Sequence, residues 1–275
     1  MNKLYKALIY DRQISLSVLE TTKMVNDAIA VHGLDENSAV TLGGLLTCAT
    51  FMSGCLKNDS GAVSLTVKAG GDAGTVSVSG DKNLHIRGYI DGSCGGRLNG
   101  GYLTVLKDDG FYRPFVGTCE LVGDDVSRNL MQYFQMSEQI DTAVSVGVKM
   151  RDGKCVAAGG VVMQLLPGTS EENMDKAEQL MQSFVNPAEV VLKYGADGIM
   201  ENFFKGLARD GEIYTYFPEY KCNCSRKKTE GVIVPLGRDE LLKITEEEGC
   251  VKVHCHYCNT DYAFTRKDIE ELFKL

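Results

Sequence analysis

Tryptophan is absent from the 275 residues, and histidine is scarce at four. The missing tryptophan excludes no function. The scarcity of histidine excludes more, because only His32 and His85 lie outside the last quarter of the chain. No Ser-His-Asp ordering and no carboxylate pair stands out. The glycine-rich pieces at Gly70-Gly71 and between Gly92 and Gly101 suit tight turns, and none opens a helix as a phosphate loop does. No enzyme is expected. A basic excess is lacking too: 29 Lys and Arg stand against 37 Asp and Glu, for a net charge of −8. That balance disfavours nonspecific binding to nucleic acid or an anionic membrane. Residues 1–10 (MNKLYKALIY) run straight into Asp11 and Arg12 with no apolar core and no small-residue cleavage site, so no secretory signal is expected.

What is present begins with ordinary globular composition, 44% hydrophobic and 24% charged. The length allows one sizeable core plus a smaller module. One apolar run, residues 39–56 (AVTLGGLLTCATFMSGCL), approaches a membrane span. Three glycines, several Thr and Ser residues and the lack of aromatic or basic flanks argue for a buried helix instead. Ser38 is its expected cap.

The pattern along the chain is that of an α+β protein. Residues 1–168 read as a domain with a mixed or antiparallel sheet around the buried helix. Residues 15–31 have helical periodicity through Leu16, Leu19, Met24 and Ile29. From Val63 the period changes to two, predicting strands at 63–67, 75–79, 85–90, 102–106, 143–148 and 160–165. Residues 125–134 offer another helix. Residues 169–218 read as a helical connector. Thr169 to Glu172 form a plausible capping box, followed by Met174, Ala177, Leu180, Met181 and Phe184 on one face. Asn186-Pro187 breaks that helix, and Ile199, Met200, Phe203 and Phe204 continue beyond it. Residues 219–275 form a small C-terminal module with helices expected at 238–248 and 266–273. Ser137-Glu138-Gln139 reads as a turn or cap before it reads as a polar site.

Ten cysteines complete the inventory. Cys48, Cys55, Cys94, Cys119 and Cys155 are scattered and read as small buried hydrophobes. Cys222-x-Cys224 and Cys255-x-x-Cys258 are different. Close spacing points two sulfurs into one volume, and two such knuckles close a tetrahedral four-thiolate cage for zinc. The neighbours Cys250, His254 and His256 compete for a ligand place. The same spacing lets each pair close on itself once the metal leaves, so a staple and a redox switch are both open. From Lys221 onward ten Lys and Arg balance ten Asp and Glu, which speaks against the alternative of a nucleic-acid-associated zinc ribbon.

With these residues in view, the chain resembles the redox-regulated holdase chaperones of the thirty-three-kilodalton heat-shock protein family. The resemblance rests on Cys222-x-Cys224-Ser225-Arg226, on His254-Cys255-x-x-Cys258, and on the flanks 237–241 (GRDEL) and 262–264 (YAF). Upstream, 103–108 (LTVLKD), 137–139 (SEQ) and 158–164 (AGGVVMQ) with Pro167-Gly168 also resemble family segments. Asp141, where a proline commonly follows, and Met136 depart from the pattern. The resemblance implies one Zn2+ per chain on Cys222, Cys224, Cys255 and Cys258 in a reduced, inactive state. It further implies Cys222–Cys224 and Cys255–Cys258 disulfides on oxidation, zinc release and unfolding of the module. Partners would be unfolding client proteins and a second copy of the chain, with no nucleic acid and no membrane. The expected location is the cytoplasm.

Overall fold

The computed structural model describes residues 1–70, 74–91, 98, 100–110 and 113–274. Cys94 and the turns expected at Gly71 and Gly95-Gly96 lie outside the described residues. The chain divides into two compact units, Met1–Tyr220 and Lys221–Leu275.

The first unit is built on two sheets. One contains β1 (Lys3–Ile9), β2 (Ile14–Glu20), β8 (Thr142–Arg151), β9 (Lys154–Leu165) and β10 (Ala208–Tyr216), in the order β10-β1-β2-β9-β8. The other contains β3 (Ala62–Ala69), β4 (Thr75–Asp81), β5 (His85–Asp91), β6 (Gly101–Asp108), β7 (Phe115–Glu120) and the short β11 (Glu219–Tyr220), in the order β11-β5-β4-β3-β6-β7. All neighbours pair antiparallel except β11, which runs parallel to β5. The helices are α1 (Thr22–His32), α2 (Glu36–Gly54), α3 (Val126–Tyr133), α4 (Glu171–Met181) and α5 (Pro187–Phe203). The α+β class expected from the pattern is the one found.

The apolar run forms α2, with Ala39 and every residue from Thr41 to Ser53 buried. Two of its buried hydroxyls are satisfied within the helix: Thr47 donates to the Gly43 carbonyl and Thr50 to that of Leu46, both at 2.8 Å. Gly43 permits the close approach of α1, since a Cβ there would stand 2.9 Å from Val25 Cγ2. No helix among the described residues is long and apolar enough to cross a membrane. The cap is Asp35 rather than Ser38. The Asp35 carboxylate accepts from the Ser38 amide at 2.8 Å and from its hydroxyl at 3.2 Å, so the helix starts earlier than expected.

Three further expectations need correction. Residues 15–20 are strand β2, and only Thr22 onward is helix. Leu16 faces one core and Leu19 the other, so the two buried faces place apolar residues three apart and mimic helical spacing. The helix α4 is capped by Ser170, whose hydroxyl accepts from the Asn173 amide, while the Thr169 hydroxyl donates to the Gln13 and Leu166 carbonyls. The segment 169–218 is helical only to Phe203. Residues 208–216 are β10, held in register against β1.

The sheet centred on β2 separates two cores. On one side Leu4, Leu19, Val144 and Val162 pack with α2 and the second sheet. On the other, Ala7, Ile9, Ile14, Leu16, Val18, Ala157, Val161 and Met163 pack beneath Ala177, Phe184, Val191, Ala196, Ile199, Met200 and Phe204. The connector is thus a wall of this core. Its second helix is broken at Gly195 (φ 60°, ψ 178°), and the Glu20 carboxylate accepts from the next amide, Ala196, at 2.8 Å. Asp197 accepts from the Tyr5 hydroxyl at 2.6 Å and pairs with Lys3.

The second unit contains α6 (Arg226–Ile233), α7 (Arg238–Glu248), a hairpin of β12 (Val251–Cys255) and β13 (Thr260–Phe264), and α8 (Arg266–Leu272). Thr265 and Asp268 form a capping box on α8. The buried apolar set is small: Ile233, Leu241, Val251, Phe264 and Ile269.

Candidate metal centre

Two local devices bring thiols together in the second unit. The hairpin pairs Cys255 with Thr260 and leaves Cys258 in its turn. The amides of Cys258 and Asn259 both donate to the Cys255 carbonyl, at 3.3 and 2.9 Å, with Asn259 in the left-handed region at φ 54°. Cys222 and Cys224 lie on residues 221–225, which form no helix or strand. That stretch ends at Ser225, the cap of α6, whose hydroxyl accepts from the Lys228 amide at 3.3 Å.

The four sulfurs lie within 4.8 Å of one another. Cys222 Sγ stands 3.8 Å from Cys255 Sγ, and Cys224 Sγ 3.3 Å from Cys258 Sγ. A tetrahedral thiolate cage with metal–sulfur bonds of about 2.3 Å has edges of about 3.8 Å. The cluster therefore has the dimensions and the soft donors of a site that could hold such an ion. Among the described residues no other cluster of this kind is present. Cys250 lies outside it because the length of β12, about 16 Å, separates it from Cys255. His254 pairs with Asp261 at 2.7 Å and meets the His256 ring edge-on at 5.0 Å, and neither histidine joins the sulfur cluster.

The comparison with protein families agrees with this arrangement: the model of the Hsp33 protein matches residues 2–265. The chain belongs to the Hsp33 family. It is 32% identical over 288 residues to the 33 kDa chaperonin of Bacillus cereus (strain AH187), with 98% of each chain covered. The 33 kDa chaperonin of Bacillus anthracis (strain CDC 684 / NRRL 3495) matches equally. The solved structure of the 33 kDa chaperonin of Thermotoga maritima aligns with a TM-score of 0.84 at 25% identity, over 98% of this chain and 97% of that one.

In this Hsp33-family chain the four thiols are not equivalent. Burial works against the Cys224 thiolate, but the Tyr262 hydroxyl at 3.1 Å and the adjacent sulfurs outweigh it and bring the thiol down to about 7. Tyr262 is correspondingly pushed up to about 12 by that bond. Burial raises Cys222 and Cys258, the latter despite a Thr260 hydroxyl 3.3 Å away. Tyr262 and Thr260 went unnoticed in the sequence as site residues. Period two along β13 puts both on one face, and a hairpin assignment would have exposed them.

The other sequence candidates have local roles. Cys48, Cys119 and Cys155 are buried, as expected of small hydrophobes, whereas Cys55 is exposed. It follows the last turn of α2, where the chain leaves the core. Residues Phe134–Glu138 form a π-helical turn closed by Gln139 at φ 55°, and Glu138 pairs with Lys107. His32 contacts the Tyr220 hydroxyl at 3.0 Å, and His85 stands 3.5 Å from Asp81.

Proposed function

We propose that this chain is an ATP-independent holdase switched by thiol oxidation. The observation that carries the reading is the four-thiol cluster made from two short-spaced pairs, set in a unit with five buried apolar residues. In the reduced state Cys222, Cys224, Cys255 and Cys258 hold one Zn2+ as thiolates. Zinc supplies cross-linking free energy there, on the order of 10 kcal/mol for such modules. A unit of about 55 residues with so small a core is left marginally stable without it.

Oxidation removes the donors. The Cys255 thiolate attacks peroxide, the O–O bond breaks, and hydroxide leaves a sulfenic acid on sulfur. The Cys258 thiolate then attacks that sulfur, expelling a second hydroxide and forming the S–S bond. Cys222 and Cys224 close in the same way, each pair giving up two electrons to one peroxide. A ring across one intervening residue is readily reduced again, which suits reversal.

With the second unit unfolded, the helices α4 and α5 of the 169–218 connector loosen from the sheet. The face formed by Ile9, Leu16, Val18 and Met163 is then uncovered, and Met181, Met200 and Phe203 offer adaptable apolar contacts. Unfolding client proteins bind this surface, and the active form is a dimer. The setting is the cytoplasm, without nucleic-acid or membrane partners.

The test is zinc and thiol content before and after peroxide at heat-stress temperature, with suppression of client aggregation followed in parallel. The expected result is loss of about one zinc with four thiols, and activity that appears and then reverses with reductant. Zinc that stays bound with activity unchanged reduces the cysteines to a structural staple. A salt-dependent shift with RNA favours a zinc-ribbon protein instead.

A further inference from the structure

The two knuckles are anchored unequally. Cys255 and Cys258 ride on a hairpin paired at five positions, with two amides closed on the Cys255 carbonyl. Cys222 and Cys224 ride on residues outside any helix or strand, and the first regular element after them is α6. That helix begins at Arg226. Its guanidinium lies over the Phe264 ring at 4.3 Å, donates through Nη1 to the Ala263 carbonyl at 2.8 Å, and pairs through Nη2 with Asp268 at 3.0 Å. Glu230, one turn on, stands 3.9 Å from Nε. Asp268 is itself fixed, its Oδ2 accepting from the Thr265 amide and hydroxyl at 2.7 Å each. One side chain therefore ties the start of α6 to β13 and α8 together.

We infer that Arg226 is the positioning residue that holds the Cys222–Cys224 knuckle against the hairpin when no metal bridges them. It would thereby govern how readily the unit opens after the thiolates are lost. The inference rests on the proposed function only in treating this unit as a switch. The Arg226 and Asp268 side chains are 45% and 37% exposed, and an ion pair so exposed contributes little alone. The guanidinium does more than pair. It sits over a ring while its fork serves a carbonyl and a carboxylate, a combination lysine cannot reproduce. Other ties of the knuckle include the Tyr262 contact to Cys224 and burial of Ile233 at the far end of α6.

The experiment uses the full-length reduced protein, stripped of zinc with a chelator and pulse-alkylated, with modification read at each cysteine by mass spectrometry. In Arg226→Ala, alkylation of Cys222 and Cys224 is expected to accelerate about tenfold, the equivalent of about 1.4 kcal/mol. Cys255 and Cys258 should change much less. Arg226→Lys, which keeps the charge but not the fork, should fall between. Reloading with zinc should protect all four sites in each variant. An equal rise at all four cysteines marks a general loss of stability and overturns the inference, as does no rise at Cys222 and Cys224. Should Arg226→Ala fail to load zinc, the same site-by-site comparison on Arg226→Lys decides. The chelator arm uses no oxidant. Wild-type protein that keeps its zinc under peroxide sinks the switch while leaving the Arg226 tie to be judged on its own result.

Discussion

Replacing Phe184 with alanine should separate the cover from the switch. Phe184 is 0% exposed, stacks on Phe204 at 5.9 Å with an interplanar angle of 10°, and meets Phe203 at 5.0 Å. Its carbonyl accepts from the Ser145 hydroxyl on β8. Truncating a packed phenylalanine costs about 3–5 kcal/mol, including the cavity left behind. That cost falls on the core between the connector helices and the sheet, to which Phe184 belongs. Even about 3 kcal/mol raises the population of an opened connector roughly 100-fold. The assay is amide hydrogen exchange on the reduced, zinc-loaded variant, with zinc content and client aggregation measured on the same sample. Faster exchange over 171–203, unchanged zinc and aggregation suppression without oxidant are expected. Unchanged exchange, or zinc lost in step with it, would refute the reasoning. Equal acceleration in β3 to β7 would show that Phe184 supports the whole first unit rather than its cover.

Two further outcomes follow from the same surface. Hydrogen bonds from Lys3 and Tyr5 hold the Asp197 carboxyl below its ordinary 3.8. A carboxyl depressed in the folded state stabilises above its unfolded value and loses that contribution as pH falls through its folded one. The proteolytic resistance of α5 should therefore differ between wild type and Asp197→Asn at pH 7, and the difference should shrink below pH 3.8. A difference that persists into strong acid contradicts the assignment. Gly195→Ala places a Cβ where φ is 60° and 3.3 Å from Glu20 Oε2. Such backbone strain costs about 1–3 kcal/mol. Faster cleavage within residues 187–203 is expected, and wild-type resistance would mean that the break relaxes at no cost.

Local signals carried much of this fold. The strands β3 and β5 alternate, α7 ends at Gly249 in the left-handed region, and α8 opens on Thr265 with Asp268 three residues later. The four thiols were legible because knuckle spacing is itself a geometric statement. What escaped depended on partners distant in sequence. Strand β2 looked helical because it is covered on both faces, and β10 looked helical because nothing nearby reveals that β1 lies opposite it. Arg226 reaches Ala263 across 37 residues, a contact that exists only once β13 is in register. Asp35 displaced Ser38 as cap by a difference of one turn, which periodicity does not resolve.

The central sheet has two masters, and only one of them belongs to the connector. If α4 and α5 swing away, β1, β2, β9 and β8 keep their ladder bonds, and Leu4, Leu19, Val144 and Val162 still grip the opposite core. The bared surface is then a finished, rigid platform rather than a melted segment. Recovery consequently needs no strand to be rebuilt or re-registered. The helices have only to land again on a face that never lost its shape, so return to rest is a docking event and should outpace refolding of the domain.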